Sequence, residues 1–152
     1  MMRALLSLLL ALLAWLSPLS VAANGVIIPG VLDVPLVPAQ PVAVAGGWTW
    51  GVPCGHQAAL VVAGENTVVF GHAYHRCGSP MSPLYRVRLG AVVWYDGRAW
   101  TVQERHIVSP REVAWVLPTA DTRLTLLTCW PAYSARWRLV LVARPYAATG
   151  GR

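Results

Sequence analysis

A cysteine and an arginine stand at the two ends of a short loop near the C-terminus. Residues 124–129 read Leu-Thr-Leu-Leu-Thr-Cys, and residues 138–143 read Arg-Leu-Val-Leu-Val-Ala. If both segments are strands that pair antiparallel, the end of the first lies beside the start of the second, so Cys129 and Arg138 become neighbours. A permanent cation lowers the pKa of a thiol or holds an oxyanion. The pair therefore predicts the nucleophile and the charge stabiliser of a cysteine enzyme.

A histidine at the end of another apolar segment is a candidate acid and base. His72 follows the run Thr-Val-Val-Phe-Gly at residues 67–71, and Gly71 lets the backbone bend or approach a neighbour closely. With a free thiol and an arginine, His72 completes a set of nucleophile, proton carrier and oxyanion clamp. Arg136 is an alternative to Arg138, because residues two apart on a strand face the same way.

The chain has three cysteines, and an odd number in an exported protein indicates that one is left unpaired. Cys54 and Cys77 lie among turn residues, whereas Cys129 ends an apolar segment. We therefore expect Cys54 to pair with Cys77 and Cys129 to remain a free thiol. A different pairing and a fully reduced chain stay open on sequence alone.

The same region admits a metal site as an alternative. His72, His75 and Cys77 offer nitrogen and sulfur ligands at the short spacing that zinc accepts, and Cys54 or His56 could add a fourth. No complete ligand set is evident from the spacing, and we expect no metal and no other cofactor.

The N-terminus has the pattern of an export signal. A basic start is followed by an uncharged, leucine-rich run, so residues 1–23 are predicted to be a signal peptide or, alternatively, an uncleaved membrane anchor. A buried core helix is a third interpretation of this run. Residues 24–152 then form one domain, which we expect outside the cytoplasm, secreted or anchored at the cell surface.

The charge of the chain indicates which partners to expect. The net charge is +6, and every basic residue other than histidine is an arginine. This excess suits an anionic surface such as a cell wall or phospholipid headgroups. The arginines are scattered and no nucleic-acid motif is present, so we expect no nucleic-acid partner.

From residue 26 onward, short apolar runs alternate with Gly and Pro, which is typical of an all-β protein. Asp96-Gly97 is a strong hairpin signal, the two prolines at 38 and 41 predict a loop, and residues 57–63 could form a strand or a short helix. The eight predicted strands are 31–37, 67–70, 85–89, 91–95, 99–108, 113–117, 123–128 and 138–143. We predict a small closed eight-stranded β-barrel with short helical segments.

These motifs resemble those of the sortases, the cysteine transpeptidases of Gram-positive cell surfaces. Residues 125–129, Thr-Leu-Leu-Thr-Cys, match the Thr-Leu-x-Thr-Cys motif of the family, and residues 67–72 match the strand that supplies its catalytic histidine. Arg138 precedes an apolar strand, as the catalytic arginine of the family does. Residues 28–35 and 51–53 resemble earlier landmarks, and Pro131 after the cysteine resembles the class D and E enzymes.

The resemblance implies a sortase-like barrel with His72, Cys129 and Arg138 as catalytic residues. Cys129 would attack a backbone carbonyl in a sorting motif of the Leu-Pro-x-Thr-Gly type, and an amine from the cell wall or another protein, or water, would resolve the thioester. Thr128, Trp130 and Trp137 flank this centre and are assigned to substrate binding.

Two features depart from the family pattern. A disulfide between Cys54 and Cys77 is not a general feature of sortases, and the chain lacks the acidic cluster that binds calcium in some of them. The competing hypothesis is a secreted β-barrel binding module, with or without a metal staple, in which Cys129 is inert.

Overall fold

The computed structural model describes residues 25–147. The predicted leader at residues 1–23 and the C-terminal tail at residues 149–152 lie outside the described residues. Within the described span, no helix combines the length and the apolar character needed to cross a bilayer.

The described chain consists of nine strands and two short 3-10 helices. In order they are β1 (Gly25–Ile28), β2 (Leu32–Pro38), β3 (Pro41–Val44), β4 (Gly47–Trp50), β5 (Ala58–Phe70), η1 (Ser82–Arg86), β6 (Val92–Tyr95), β7 (Arg98–Val108), η2 (Val113–Val116), β8 (Thr119–Trp130) and β9 (Trp137–Pro145).

Seven of these strands close into a barrel in the order β1-β2-β5-β8-β9-β7-β6. The pairs β2–β5 and β5–β8 are parallel, and the other barrel pairs, including the closing pair β1–β6, are antiparallel. The predicted all-β closed barrel is confirmed, with seven strands in the described barrel where the sequence predicted eight. Closure leaves these strands without a free edge.

Two predicted strands are wrong, and both segments contain 3-10 turns. The segment predicted at 85–89 begins inside η1, where Pro83 occupies the first turn and fixes a helical φ. The segment predicted at 113–117 contains η2 and ends immediately before Pro118. Because Pro cannot donate to a ladder, a short apolar run bounded in this way does not join the sheet.

Three strands were missing from the prediction, and one ambiguity is resolved. Residues 57–63 lie mainly in the long strand β5, and β1 pairs with β2 through a turn at Pro29 and Gly30. The loop predicted around the two prolines continues into the hairpin β3–β4, which forms a sheet of its own. All eight residues of that hairpin are exposed.

Strands β8 and β9 alternate between the barrel interior and an outer layer. Leu124, Leu126, Leu139 and Leu141 belong to the main core, and each has 0% of its surface exposed. Leu127, which follows Leu126 on β8, and the valines of β9 have the opposite orientation and pack in smaller clusters outside the sheet. Both faces of this strand pair are therefore covered over most of its length, which explains its near-continuous apolar sequence.

Candidate functional site

The register of β8 and β9 makes Cys129 and Arg138 direct partners. The antiparallel pairing runs from Leu124 with Ala143 to Trp130 with Trp137, and it places Cys129 opposite Arg138. Side chains of directly opposed residues point to the same face, with Cβ atoms about 4.5–5.5 Å apart. Cys129 is partly exposed and is the free cysteine of the chain. The thiol and the guanidinium thus share one end of the strand pair.

Both side chains lie on the outer face of the barrel. Leu124 and Leu126 point into the core, so the pleat turns Leu127 and Cys129 outward. On β9, Val140 belongs to an outer cluster, and Arg138 has the same parity. The pair is therefore accessible from outside the barrel, where a polypeptide substrate can approach.

An apolar cleft of about 270 Å³ on this outer face reaches Arg138. Its floor comes from β5, β7 and β8, and its walls come from β4, the segment after it, and the region around η2. The lining residues are Thr49, Trp50, Val52, Val61, Val68, Phe70, Val108, Ser109, Pro110, Glu112, Val113, Val116, Leu127 and Arg138. Apart from Glu112 and Arg138, no charged residue lines this cleft, which suits an extended apolar peptide segment.

His72 reaches the same face from the parallel neighbour of β8. Phe70 on β5 is the register partner of Leu127, and both pack in one outer cluster. The contact continues past the strand end, because the Gly71 N–H donates to the Leu127 carbonyl at 3.3 Å. Two residues beyond Phe70 and Leu127 stand His72 and Cys129. The pairing of β5 with β8 therefore brings the chain to the same end of the barrel just before His72 and Cys129.

Thr128 secures the strand end that carries His72. Its side chain is buried, and its Oγ1 donates to the carbonyl oxygen of Gly71 at 2.8 Å. Position 71 also requires glycine, since a Cβ atom there would lie 2.7 Å from Cγ of Met81 and 3.3 Å from Cβ of Ala58. The close packing of Gly71 and its bond to Thr128 set the place from which His72 projects.

The surroundings of His72 favour its neutral form. Partial burial lowers the pKa of His72 below its usual value, the nearby His75 lowers it further, and a backbone hydrogen bond with Val52 opposes these effects. The rings of His72 and His75 are stacked, with centroids 4.2 Å apart and planes inclined by 14°. A lowered pKa makes the imidazolium a stronger acid, which assists donation of a proton to a departing amine.

A disulfide borders His72. Cys54, from the segment between β4 and β5, is bonded to Cys77, and their Cα atoms are 5.0 Å apart. The two sulfur atoms and a ring nitrogen of His72 lie within 4.8 Å of one another, and Cys54, His72 and Cys77 are the only potential metal-binding group among residues 25–147. His56 is outside this group. The disulfide therefore joins the two segments that flank the histidine.

The two candidate arginines differ in their positions. Arg138 lies on β9 opposite Cys129, and its Nη1 donates to the carbonyl oxygens of Ala135 and Trp137 at 2.8 and 3.0 Å. Those bonds use one nitrogen and leave the rest of the guanidinium fork available. Arg136 precedes β9 and stacks its guanidinium 5.8 Å from the ring of Trp137. The structure brings Arg138, and not Arg136, into register with the thiol.

Trp130 and Trp137 lie opposite each other at the end of the strand pair. Because they alternate with Cys129 and Arg138 in the pleat, their side chains leave the other face of the sheet. The ring of Trp130 packs against the barrel core, and the guanidinium carbon of Arg105 lies 5.5 Å from the centroid of this ring. The two tryptophans flank the site in sequence, and their rings are directed away from the face that holds the thiol.

Tyr85 is a site residue that the sequence did not reveal. Its hydroxyl donates to the carbonyl oxygen of Cys129 at 2.8 Å, and its ring packs 4.4 Å from that of Trp130. Burial, with smaller effects of Tyr74 and Cys129, raises the pKa of Tyr85, so the hydroxyl keeps the proton it donates. The Pro83 that places Tyr85 in η1 was the available signal for a turn, but no local pattern indicates a contact 44 residues along the chain.

Comparison with known proteins identifies the domain. A model of the sortase domain matches residues 40–146, whereas a comparison with curated proteins gave no match. Sortase A from Listeria monocytogenes is 22% identical, with a TM-score of 0.63 over 83% of this chain and 88% of that one. A lid mutant of sortase A from Corynebacterium diphtheriae is 17% identical, with a TM-score of 0.64 over 83% and 70%. Sortase C from Streptococcus pneumoniae is 19% identical, with a TM-score of 0.62 over 86% and 69%.

Proposed function

This chain belongs to the sortase family of cysteine transpeptidases, and on that premise we propose that Cys129, His72 and Arg138 form its catalytic centre. The observation that carries the proposal is the strand register: Cys129 is paired with Arg138 on the outer face, and His72 follows the parallel strand β5, whose last residue Phe70 pairs with Leu127, two residues before Cys129. Nucleophile, proton carrier and oxyanion clamp then surround one point.

We propose the following sequence of steps. The sulfur of Cys129 attacks a backbone carbonyl carbon of the substrate, and the N–H groups of Arg138 hold the resulting oxyanion. The carbon–nitrogen bond breaks as His72 gives a proton to the departing amine, which leaves a thioester on Cys129. An incoming amine, or water, gives a proton to His72 and attacks the thioester, and the thiolate of Cys129 departs.

The substrate is proposed to be a surface protein with a sorting motif of the Leu-Pro-x-Thr-Gly type, and the acceptor an amine of the cell wall or of another protein. The apolar cleft beside Arg138 supports this choice, since it can accept the leucine and proline of such a motif. Thr128 would support the site indirectly, because its hydrogen bond to the carbonyl oxygen of Gly71 holds the residue that precedes His72. Substrate contact by Trp130 and Trp137 stays a prediction, and it would have to come from the end of the barrel.

The subclass and the cellular location are proposed on sequence features. Pro131 after the cysteine supports a class D- or E-like enzyme. Sortases act outside the cytoplasm at the cell envelope. The apolar segment at residues 1–23 supports export of this chain as a secreted or membrane-anchored protein.

The test is intact mass spectrometry of the full chain after incubation with a library of sorting-type peptides. We expect an acyl adduct on Cys129 that a hydroxylamine or amine nucleophile removes, and no adduct on the Cys129→Ala variant with unchanged thermal unfolding. The adduct mass also names the motif. If Cys129 forms no adduct and resists alkylation at neutral pH, the chain is instead a binding module with an inert thiol.

A further inference from the structure

The backbone contacts before His72 do not fix the orientation of its ring. The hydrogen bond from Thr128 holds Gly71, but the imidazole can still rotate, because the terminal torsion of a histidine side chain has a broad energy minimum. In many acid–base sites a third group, often a carboxylate, hydrogen-bonds to the imidazole and orients it. The segments that border His72, residues 51–57 and 71–81, contain no Asp or Glu. A different kind of group must therefore orient this ring.

His75 covers one face of the His72 ring. The two ring centroids are 4.2 Å apart, and the ring planes are inclined by only 14°. Rotation of the His72 ring out of this plane would drive its edge into the second ring, so the stack restricts that rotation. At its edge, the His72 ring makes a hydrogen bond with the backbone of Val52. The imidazole is therefore held by a flat neighbour on its face and by a backbone group at its edge.

His75 is itself anchored at its backbone and at its ring. Its N–H donates to Oγ of Ser79 at 2.8 Å, and its carbonyl oxygen accepts from the same Oγ and from the Gly78 N–H, both at 3.1 Å. Nδ1 of its ring accepts from the Cys77 N–H at 3.2 Å. Four hydrogen bonds within one tight turn thus fix the ring of an exposed residue, which makes it a firm support for its neighbour.

The turn that carries His75 is joined to the segment that carries Val52. The Cys54–Cys77 disulfide links the two, and the Gly55 N–H donates to the carbonyl oxygen of Cys77 at 2.6 Å. The stacked ring of His75 and the backbone of Val52 therefore belong to one cross-linked unit. This unit keeps both contacts of the His72 ring in a constant arrangement.

We propose that His75 is a positioning residue for the transfer reaction, whose stacked ring holds the imidazole of His72 in the orientation that proton transfer requires. This inference rests on the proposed function, in which His72 gives a proton to the departing amine and takes one from the incoming amine or from water. His75 exchanges no proton with the substrate in this role. The flat face of residue 75, and not its nitrogen atoms, is the property that supports catalysis.

The kinetic test compares His75→Ala with His75→Phe. General acid–base catalysis contributes about 100–10,000-fold, and misplacement of a reacting group by about 1 Å costs about 100-fold. We therefore expect His75→Ala to lower kcat for peptide transfer by about 10–100-fold with KM almost unchanged. His75→Phe restores a flat ring without nitrogen atoms and should return kcat to within about threefold of the unaltered protein, as expected for a surface substitution without further effect. Thermal unfolding and an intact disulfide verify that both variants fold.

His56→Ala is the matched control. His56 is exposed in the segment that contains Cys54, and it takes no part in the stack, so its replacement should leave kcat and KM unchanged. Loss of kcat in His75→Phe equal to that in His75→Ala would show that the nitrogen atoms of His75 matter and would overturn the proposal. Unchanged kcat in His75→Ala, or an equal loss in His56→Ala, would also overturn it.

Proton NMR of the His72 ring tests the stack without any substrate. The carbon-bound ring protons of His72, assigned by their loss in His72→Gln, should show the ring-current shift of a stacked neighbour in the unaltered protein and in His75→Phe. In His75→Ala they should move towards the values of a free histidine, and unchanged shifts would refute the stack. If the unaltered protein transfers no peptide and Cys129 takes no acyl group, the proposed function fails, and the positioning role fails with it. If transfer occurs but does not depend on residue 75, only the positioning role fails.

Discussion

Cys129 and Arg138 stand on paired strands, whereas the surroundings of His72 are built from loops. Strands β8 and β9 are in continuous register and contribute several side chains with no exposed surface. Around His72, the neighbours come from the segments before β5 and after it, which the Cys54–Cys77 disulfide joins. The thiol and the arginine are thus positioned by the barrel itself. The environment of the histidine can change while the barrel stays folded, because strands of a core open less readily than loops.

The largest effect is expected on the strand side of this comparison, from Arg138→Lys. Lysine keeps the charge but loses the planar fork of donors. Since removal of one oxyanion donor costs about 100–1000-fold, kcat for peptide transfer should fall by at least about 100-fold. Steady-state kinetics measures the loss, and thermal unfolding should be almost unchanged because the side chain is at the surface end of β9.

Arg136→Lys is the matched control for this change. Arg136 stacks on Trp137 and is not in register with Cys129, so its replacement should alter kcat by less than about threefold, as expected for a surface substitution. Equal losses in the two variants would mean that register does not select the catalytic arginine.

On the loop side, the Cys54→Ser, Cys77→Ser double variant removes the covalent tie. The cysteines are 23 residues apart, and the loop-closure entropy of a ring of that size predicts a loss of about 3 kcal/mol in the free energy of unfolding. Urea denaturation measures it. In the folded variant, Cys129 should still form its register pair, so a loss of transfer without a loss of Cys129 alkylation would locate the damage at His72. An unchanged urea midpoint would contradict this role of the disulfide.

A smaller effect tests the junction between the two regions. Thr128→Val keeps the shape of a buried side chain and removes its hydrogen bond to Gly71, which should lower the free energy of unfolding by about 1–2 kcal/mol. Transfer activity should also fall, because the hydrogen bond from Thr128 fixes Gly71, the residue that precedes His72. Urea denaturation and transfer kinetics give the two values.

Thr125→Val is the control for that junction. Thr125 is equally buried and donates to Asn66 at 2.7 Å, on the same outer face but four residues before Cys129 along β8. We expect a similar loss of stability with transfer kinetics close to the unaltered protein. If both variants lose activity equally, Thr128 has no particular relation to His72.

The strand side of the site could be predicted from sequence because its signals are local. Two apolar segments joined by a short loop predict a hairpin, and the hairpin alone brings Cys129 beside Arg138. His72 could be predicted as a site residue because it directly follows an apolar segment that reads as a strand. The predicted barrel was confirmed for the same reason, since alternating runs and turn residues identify strands individually.

The rest depends on contacts between distant residues, which no local pattern encodes. Tyr85 was assigned to a strand, yet it lies in a 3-10 turn and bonds the carbonyl of Cys129 from 44 residues away. Asn66 donates to the carbonyls of Trp115 and Leu117 at 3.1 and 3.0 Å, and this links β5 to the η2 region, which was also predicted to be a strand. The face of the sheet on which the Trp130 side chain lies depends on how β8 pairs and on the position of Trp130 in the pleat. It could therefore be assigned only once the register was known.

The smallest effect belongs to a charged group on the barrel wall, Glu104. Hydrogen bonds from Arg144 and then His106 lower the pKa of Glu104 from its usual 4.5. A carboxyl whose pKa is depressed by folding stabilises the protein above its unfolded pKa, and this stabilisation disappears as the pH falls through the folded value. Because its side chain is 34% exposed, Glu104→Gln should cost only about 0.2–1 kcal/mol at pH 7. Urea denaturation over a pH series should show the two proteins converging in acid while transfer kinetics at neutral pH stay equal. A loss of several kcal/mol in the free energy of unfolding, or a difference between the two proteins that grows in acid, would contradict this. It would show that the stability of the barrel wall depends on charge, much as the surroundings of His72 depend on the disulfide.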